Sequence, residues 1–201
     1  MAFNYSPKIT TDGLVLYLDA TNNRSYPGSG TSWTDLSRGG NNGTLTNGPT
    51  FNSTNSGNIV FDGADDYLIT PSITNFRTIS LWIKTSNTGG GWRYLLDARP
   101  GMGNGWYTGF EGGGAIGSNW TSQYTNGIST SVSFSNITLG TWCNLVIISD
   151  AAYTSTINFM SRYSNVEMLA GSIGNIMIYN KVLSATEIFQ NYNATKTRFG
   201  L

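Results

Sequence analysis

Large aromatic residues set among glycines are the feature of this sequence best suited to chemistry. Between residues 89 and 127, glycines alternate with rings that could stack on the apolar face of a sugar. Glycines at such positions let a ligand approach the backbone. The candidate ligand-binding residues are therefore Trp92, Trp106, Tyr107, Trp120 and Tyr124. An alternative stays open, which is that these rings fill a core or a subunit interface, where aromatic residues are favoured.

Acid–base catalysis has few candidate residues. The sequence contains no histidine, so a histidine-dependent triad is excluded. Glycoside hydrolysis needs two carboxylates that face the substrate, and on a strand these would lie two residues apart. The glutamates Glu111, Glu167 and Glu187 have no carboxylate at that spacing. We therefore predict no catalytic residue and expect that the chain is not an enzyme.

Three aspartates, Asp62, Asp65 and Asp66, surround Gly63 and could offer oxygens to Ca²⁺. Calcium loops usually space their acids more regularly than this. The favoured interpretation is that Asp62-Gly63 forms a turn while the other two carboxylates accept from local amides. We predict no cofactor and no metal site, with Ca²⁺ at this cluster as the alternative.

Composition limits the class of partner. Only 11% of residues are charged, and the 11 basic residues balance the 11 acidic ones without a basic run. A nucleic-acid partner is not expected, because phosphate binding needs a concentrated positive charge. The single cysteine, Cys143, is flanked by Trp142 and is predicted to be a small buried hydrophobe rather than a reactive thiol.

The N-terminal residues do not resemble a secretory signal, because no basic region precedes an apolar run there. No apolar run approaches the length that a membrane helix needs. We expect a soluble protein that is made in a cytoplasm and does not insert into a membrane.

Short alternating apolar runs predict an all-β sandwich. Asn58–Ile69 is interpreted as a hairpin with its turn at Asp62-Gly63, followed by a strand in which alternate residues face opposite sides. Trp82 on that strand is expected to pack under a loop or a neighbouring layer, and it is assigned to the core with Trp33 and Trp142. Further strands are predicted at 14–19, 43–46, 66–70, 78–84, 128–134, 143–148, 156–160 and 172–179.

Two local signals are more specific. Asn126-Gly127 predicts the tight turn of a hairpin. Ser184 and Glu187 form a capping-box pattern that predicts a helix, with Ile188 and Tyr192 packing on the sandwich. Asn191 and Asn193 disfavour a long helix. We predict an N-terminal arm over 1–12, one domain over 13–193 and a C-terminal tail over 194–201.

An ordered set of short motifs spans most of the chain. They are GLVLYLDA at 13–20, WTDLS at 33–37, NNGTL at 41–45, FDGADDY at 61–67, ISLWI at 79–83, GTW at 140–142 and IYNKVLSATEI at 178–188. Together they resemble the laminin-G-like, concanavalin-A-like jelly-roll family. The resemblance implies a two-sheet antiparallel jelly-roll sandwich with one short C-terminal helix, and binding on loops or on one concave face.

The opening FNYSPKI at 3–9 and the ending QNYNATKTRFGL at 190–201 are similar to versions found in virion structural proteins of tailed bacteriophages, notably marine phages. This resemblance implies a virion-surface protein, in a head decoration, a fibre or another tail part. Its expected partners are other virion proteins in a homo-oligomer, capsid or tail assembly, and host surface glycans. The alternatives are a decoration protein that binds no sugar, a free carbohydrate-binding module and, least favoured, a glycoside hydrolase.

Overall fold

The computed structural model describes residues 8–86, 91–99, 107–111, 114–130 and 137–201. The strands in chain order are β1 Leu14–Asp19, β2 Ser32–Trp33, β3 Gly43–Thr46, β4 Thr50–Asn52, β5 Asn58–Phe61, β6 Tyr67–Ile69, β7 Ile73–Thr85, β8 Trp92–Asp97, β9 Tyr107–Glu111, β10 Gly114–Ser118, β11 Ser122–Thr125, β12 Ile128–Thr130, β13 Cys143–Ser155, β14 Asn158–Phe159 and β15 Gly171–Tyr179. The α-helix found among these residues, α1, spans Ala185–Thr195.

The strands form two antiparallel sheets, as the sequence predicted. The eight-stranded sheet runs β12-β11-β13-β7-β15-β5-β4, with β1 also paired to β15. The seven-stranded sheet runs β10-β9-β8-β14-β6-β3-β2. The two sheets pack face to face as a jelly-roll sandwich, and both contribute aliphatic and aromatic side chains to the core between them.

Alternation along β13 and β15 decides what lies on each face of the eight-stranded sheet. Leu145 and Ile147 point into the core between the sheets. Val146 and Ile148 point outward and form a second apolar cluster with Leu183 and Ile188. This second cluster explains how the sheet can be apolar on both faces, because α1 covers the outer one.

The hairpin predicted over Asn58–Ile69 is wrong. Strand β5 pairs with β4 and β15 in the eight-stranded sheet, whereas β6 pairs with β3 and β14 in the other sheet. The turn at Asp62-Gly63 is real, with Gly63 at φ +78°, but it carries the chain from one sheet to the other. An Asp-Gly turn can join two paired strands or two strands of different sheets, so only the partner strands distinguish a hairpin from this connection.

The glycine-rich stretch 89–127 contains four strands in its described residues, β8 to β11. The predicted turn at Asn126-Gly127 is confirmed, with φ of 51° and 79° between the paired strands β11 and β12. Of the strand predicted over 128–134, β12 accounts for the first three residues, and 131–136 lie outside the described residues.

The capping box of α1 is confirmed: Ser184 Oγ accepts from the Glu187 amide, and the Glu187 carboxylate accepts from the Ser184 amide. The helix nevertheless continues past Asn191 and Asn193. Asn191 is buried and donates to the Tyr179 hydroxyl at 3.0 Å, while its Oδ1 accepts from the Thr10 amide at 2.7 Å. These tertiary bonds outweigh the weak helix propensity of asparagine.

The three tryptophans assigned to the core have different surroundings. Trp33 is fully buried between the sheets. Trp82 is also fully buried, but on the outer face, where its indole N–H donates to Thr195 Oγ1 at 2.8 Å. Trp142 was wrongly assigned to the core, since it is only half-buried and donates to Asn55 Oδ1 at 3.0 Å. Cys143 is buried, as predicted.

None of the helices in the described residues is long and apolar enough to cross a membrane.

Candidate functional site: an aromatic pocket on the seven-stranded sheet

A β-bulge in β8 brings three functional side chains to one face. The pairing of β8 with β9 shifts register between Tyr94 and Leu96. Because of this extra residue, Leu95 and Leu96 both enter the core. Trp92, Tyr94 and, beyond the bulge, Asp97 then lie on the opposite, outer face of the sheet. Without the bulge, strict alternation would turn Asp97 toward the core.

The neighbouring strand β9 supplies one aromatic side chain and one glycine. Tyr107 is the cross-strand partner of Asp97, and Gly109 is the partner of Tyr94. A Cβ on Gly109 would lie 1.9 Å from the Arg93 carbonyl oxygen and 2.8 Å from the Tyr94 Cα. The two strands can therefore approach this closely only because position 109 has no side chain.

The wall of the pocket is the loop at 160–168, between β14 and β15. The Asn158 side-chain amide holds this loop by donating to the Arg162 carbonyl at 3.2 Å and to Asn165 Oδ1 at 2.7 Å. The Tyr94 amide donates to the Glu167 carbonyl at 3.0 Å and joins the loop to β8. Asn165 and Glu167 both adopt positive φ, 55° and 58°. The surrounding bonds thus hold the loop in one shape, although non-glycine residues seldom adopt this conformation.

Two arginine–carboxylate pairs lie at this pocket. The Arg99 guanidinium donates through Nε and Nη2 to both oxygens of Asp97, with the shortest contact at 2.6 Å. The side chains of Arg99 and Asp97 are 11% and 0% exposed, so this pair is buried. Arg162 Nη1 lies 3.2 Å from Glu167 Oε2 in a more exposed pair, with side chains 23% and 28% accessible.

Burial and hydrogen bonding act in opposite directions on these groups. Burial disfavours the charged form of Arg99, but its hydrogen bonds to Asp97 and Tyr94 outweigh burial and raise the pKa of its guanidinium. Burial also raises the pKa of the Tyr94 hydroxyl, against the opposing effect of Arg99. Around neutral pH the Arg99 guanidinium is therefore charged and the Tyr94 phenol is protonated.

Stacked aromatic rings form the floor. Trp92 and Tyr94 stack with centroids 6.2 Å apart and planes inclined by 17°, and Tyr94 contacts Tyr107 at 5.8 Å. The Arg99 guanidinium lies 4.0 Å from the centroid of Tyr107. Tyr94 is 3% exposed whereas Trp92 is 38% exposed, so the indole is the accessible ring. The cavity beside it measures about 230 Å³ and is lined by Trp92, Tyr94, Arg99, Tyr107, Arg162 and Glu167.

The five residues predicted from sequence as ligand-binding do not form one cluster. Trp92 and Tyr107 lie together in the pocket. Trp120 is half-buried and packs against the main core. Tyr124 packs against the second apolar cluster, on the other side of the molecule. Trp106 lies outside the described residues.

Sequence reasoning missed Tyr94, Asp97, Arg99, Arg162 and Glu167. The Trp-x-Tyr spacing at 92–94 could have indicated two rings on one face of a strand. Nothing in the sequence indicates that Arg162 and Glu167 come next to them, because a bridge from Tyr94 to Met168 brings the two segments together.

The acidic cluster of Asp62, Asp65 and Asp66 has carboxylate oxygens within 4.8 Å of one another. The turn interpretation is supported for two of the three aspartates, since Asp62 Oδ1 accepts from the Ala64 amide at 2.8 Å and Asp66 Oδ2 accepts from the Asp62 amide at 3.1 Å. Burial, and then the charges of Asp62 and Asp65, raise the pKa of Asp66 against the effect of that amide.

A larger cavity, of about 530 Å³, lies beside the C-terminal end of α1. Its lining contains one aromatic residue, Tyr17, whose hydroxyl donates to Asp19 Oδ2 at 2.8 Å. Arg198 pairs with Asp19 at 2.9 Å. This cavity has no accessible ring comparable to Trp92, so the pocket on the seven-stranded sheet is the better candidate site.

Comparison with known proteins supports the fold. No family model matches the sequence, and no curated protein matches it. Among solved structures, a Trypanosoma rangeli sialidase in complex with sialic acid matches with a TM-score of 0.65 at 15% identity, over 94% of this chain and 34% of that one. The binding domain of Paraclostridial mosquitocidal protein 1 matches at 0.57 and 19% identity, over 90% of this chain and 52% of that one. A tryptophan-to-alanine mutant of HCR/D matches with a TM-score of 0.63 at 15% identity, over 90% of this chain and 51% of that one.

These matches correct one prediction. The expectation that the chain is not an enzyme is contradicted, because the matching structures include sialidases and a sialidase mutant that displays trans-sialidase activity. The chain spans 34% of the length of the matching sialidase, 52% of the mosquitocidal-protein structure and 51% of the HCR/D structure. At these identities the likeness shows the fold alone.

Proposed function

We propose that this chain is a glycan-binding module of the laminin-G-like type, and that the pocket at Trp92 is its binding site. The observation that carries the proposal is the accessible Trp92 ring, stacked on buried Tyr94 and bordered by two arginine–carboxylate pairs. Ligand sites generally combine apolar and aromatic walls with a few precisely placed polar groups.

The chemistry of a sugar suits this arrangement. One face of a pyranose ring carries C–H groups that pack on an indole, while its edge carries hydroxyls that both donate and accept. Trp92 offers the flat apolar surface. Arg162 offers donors and Glu167 offers acceptors at the rim.

Contacts within the chain hold the side chains and the loop of this site in place. Trp92 stacks with its neighbour Tyr94 on β8, and the loop at 160–168 is held by the Asn158 amide. A rigid site loses little conformational entropy on binding, which favours affinity for a small ligand. The matches to a sialidase in complex with sialic acid and to a binding domain are compatible with such a role.

A glycan array tests the proposal. The wild-type chain is compared with Trp92→Ala and with the matched control Phe189→Ala, which removes a 51% exposed ring from α1 on the opposite side of the sandwich. We expect Trp92→Ala to lose the glycans that both other proteins retain, at an unchanged melting temperature. Binding that survives Trp92→Ala, or no binding by any of the three proteins, would refute the proposal.

The finer proposal concerns where the module works. The resemblance of residues 3–9 and 190–201 to phage virion proteins supports a place on a particle surface, with other virion proteins as partners. The geometry is compatible with this, because α1 and residues 8–10 lie on the eight-stranded sheet, away from the pocket. Contacts through that side would leave Trp92 exposed.

Particles purified from a lysate test this setting. Proteomics that detects the chain in stoichiometric amounts supports it, and finding the chain only in the unassembled fraction supports a free carbohydrate-binding module. Particles that lack the chain test the remaining alternative, a decoration protein that binds no sugar, when their heat resistance and their adsorption to cells are measured. If these particles lose heat resistance but adsorb to cells normally, that alternative is supported.

A further inference from the structure

The pocket contains two guanidinium groups, which by themselves would favour an anionic ligand. Arg99 and Arg162 both line it, and both lie against aromatic rings. Each guanidinium, however, is already matched by a carboxylate of the chain. Asp97 holds Arg99 through both oxygens, and Glu167 holds Arg162. The formal charge of these four groups is zero.

The two pairs differ in what a ligand can reach. The Asp97 side chain is 0% exposed and Arg99 is 11% exposed, so this pair is almost closed to solvent. An anion that displaced Asp97 from Arg99 would leave a buried carboxylate without its partner, which is strongly unfavourable. The Arg99 guanidinium therefore acts as a support for Tyr107 and is not available to bind an anion.

The second pair presents its carboxylate to the ligand at least as fully as its guanidinium. Glu167 is 28% exposed and Arg162 is 23% exposed. A carboxylated sugar that approached Arg162 would meet the like charge of Glu167 at the same rim, and like charges placed together disfavour the wrong partner. A neutral sugar could use both groups, since a hydroxyl accepts from Arg162 and donates to Glu167.

Resting on the glycan-binding function proposed above, we infer that the Trp92 pocket selects neutral pyranosides and discriminates against carboxylated sugars such as uronic and sialic acids. Glu167 is the specificity-determining residue. Its carboxylate excludes acidic ligands, and Trp92 supplies the stacking surface that neutral and acidic sugars would share.

Matched glycan pairs test this inference. Oligosaccharides that end in galactose or glucose are compared with the same chains capped by sialic acid or oxidised to glucuronate, with affinities measured by equilibrium titration. We expect the neutral member of each pair to bind at least about tenfold more tightly, which corresponds to a modest difference in binding free energy. Glu167→Gln should reduce this difference in affinity, because the acidic glycan of each pair should bind more tightly once the carboxylate is removed.

The control for that variant is Asp12→Asn, which makes the same chemical change at a carboxylate 81% exposed near α1. It should leave the selectivity unchanged. Acidic members that bind as well as the neutral ones, in a manner abolished by Trp92→Ala, would overturn the inference while supporting the glycan-binding site. Binding of neither member would overturn the proposed function together with the inference. A gap that Glu167→Gln leaves unaltered would show that Glu167 does not set it.

Discussion

Trp82 and Phe199 stack with ring centroids 4.2 Å apart and planes inclined by 15°. They lie far apart in the sequence, and their contact holds the residues after α1 against the outer face of the eight-stranded sheet. Gly174 makes the contact feasible, because a Cβ there would lie 2.5 Å from the Phe199 ring. The C-terminal residues are thus part of the packed structure.

Phe199→Ala should lower the free energy of unfolding by about 3 kcal/mol, the usual cost of removing a buried phenylalanine. Phe199 is 5% exposed and also contacts Trp142 at 4.7 Å. Urea denaturation measures the effect. Leu201→Ala, at a residue 48% exposed, is the control and should change little. If both variants lower the free energy of unfolding equally, the stack of Phe199 on Trp82 does not stabilise the fold.

Arg99→Met should destabilise the fold by about 3–5 kcal/mol, because it leaves Asp97 buried and charged without its partner. The double variant Arg99→Met with Asp97→Asn should recover much of that loss, because it removes both charges. It also keeps a side-chain oxygen at position 97 for the backbone amide of residue 99, which in the wild type donates to Asp97 Oδ1 at 3.0 Å.

Denaturation of wild type, both single variants and the double variant completes the thermodynamic cycle. Arg24→Met, at an exposed arginine, is the control and should stay within about 0.5 kcal/mol of wild type. Additive losses at 97 and 99 would contradict a coupled buried pair.

Gly109→Ala should disrupt the pairing of β8 with β9, because the new Cβ would lie 1.9 Å from the Arg93 carbonyl oxygen. We expect both lower stability and loss of glycan binding, as the floor of the pocket loses its alignment. Gly140→Ala is the comparison, since its Cβ would meet no atom within 4 Å and the substitution is strained only by a φ of +73°. That strain costs roughly 1–2 kcal/mol. A smaller effect at position 109 than at 140 would contradict the close approach of the two strands.

Burial raises the pKa of the Cys143 thiol from 9.0 to about 12. The folded protein therefore keeps its thiol proton at pH 8, and we expect no modification by a thiolate-specific reagent until the chain is unfolded in denaturant. The unfolded state loses this proton near pH 9 while the folded state retains it, so the contribution of Cys143 to stability falls between about pH 9 and pH 12.

Thiol titration with and without denaturant measures the reactivity. Cys143→Ala should reduce the slope of stability against pH in that alkaline range. Rapid modification of the folded protein at pH 8 would contradict the burial of the thiol.

The sequence predicted the sandwich, because alternation over residues 78–84 and 143–148 is local and each residue shows which face it occupies. The capping box of α1 was equally local. The error at Asp62-Gly63 has a different origin: the same turn joins paired strands or strands in different sheets, and that choice depends on β3, β4, β14 and β15.

The pocket could be predicted only in part. Trp92 and Tyr107 were recognisable from residue type and neighbouring glycines. The bulge at Leu95 places Asp97 beside them, but the apolar run at 94–96 is equally typical of a regular strand buried on both faces. Arg162 and Glu167 enter the site through a long-range bridge, which no local pattern encodes.

The most direct test of the account is an NMR titration of the tryptophan indole N–H signals with a glycan selected on the array. The account predicts that the Trp92 signal shifts and saturates with the ligand. The Trp82 signal should stay in place, because that indole is buried under α1 and bonded to Thr195. A titration that moves Trp82 or Trp142 and leaves Trp92 unchanged would contradict the proposed site.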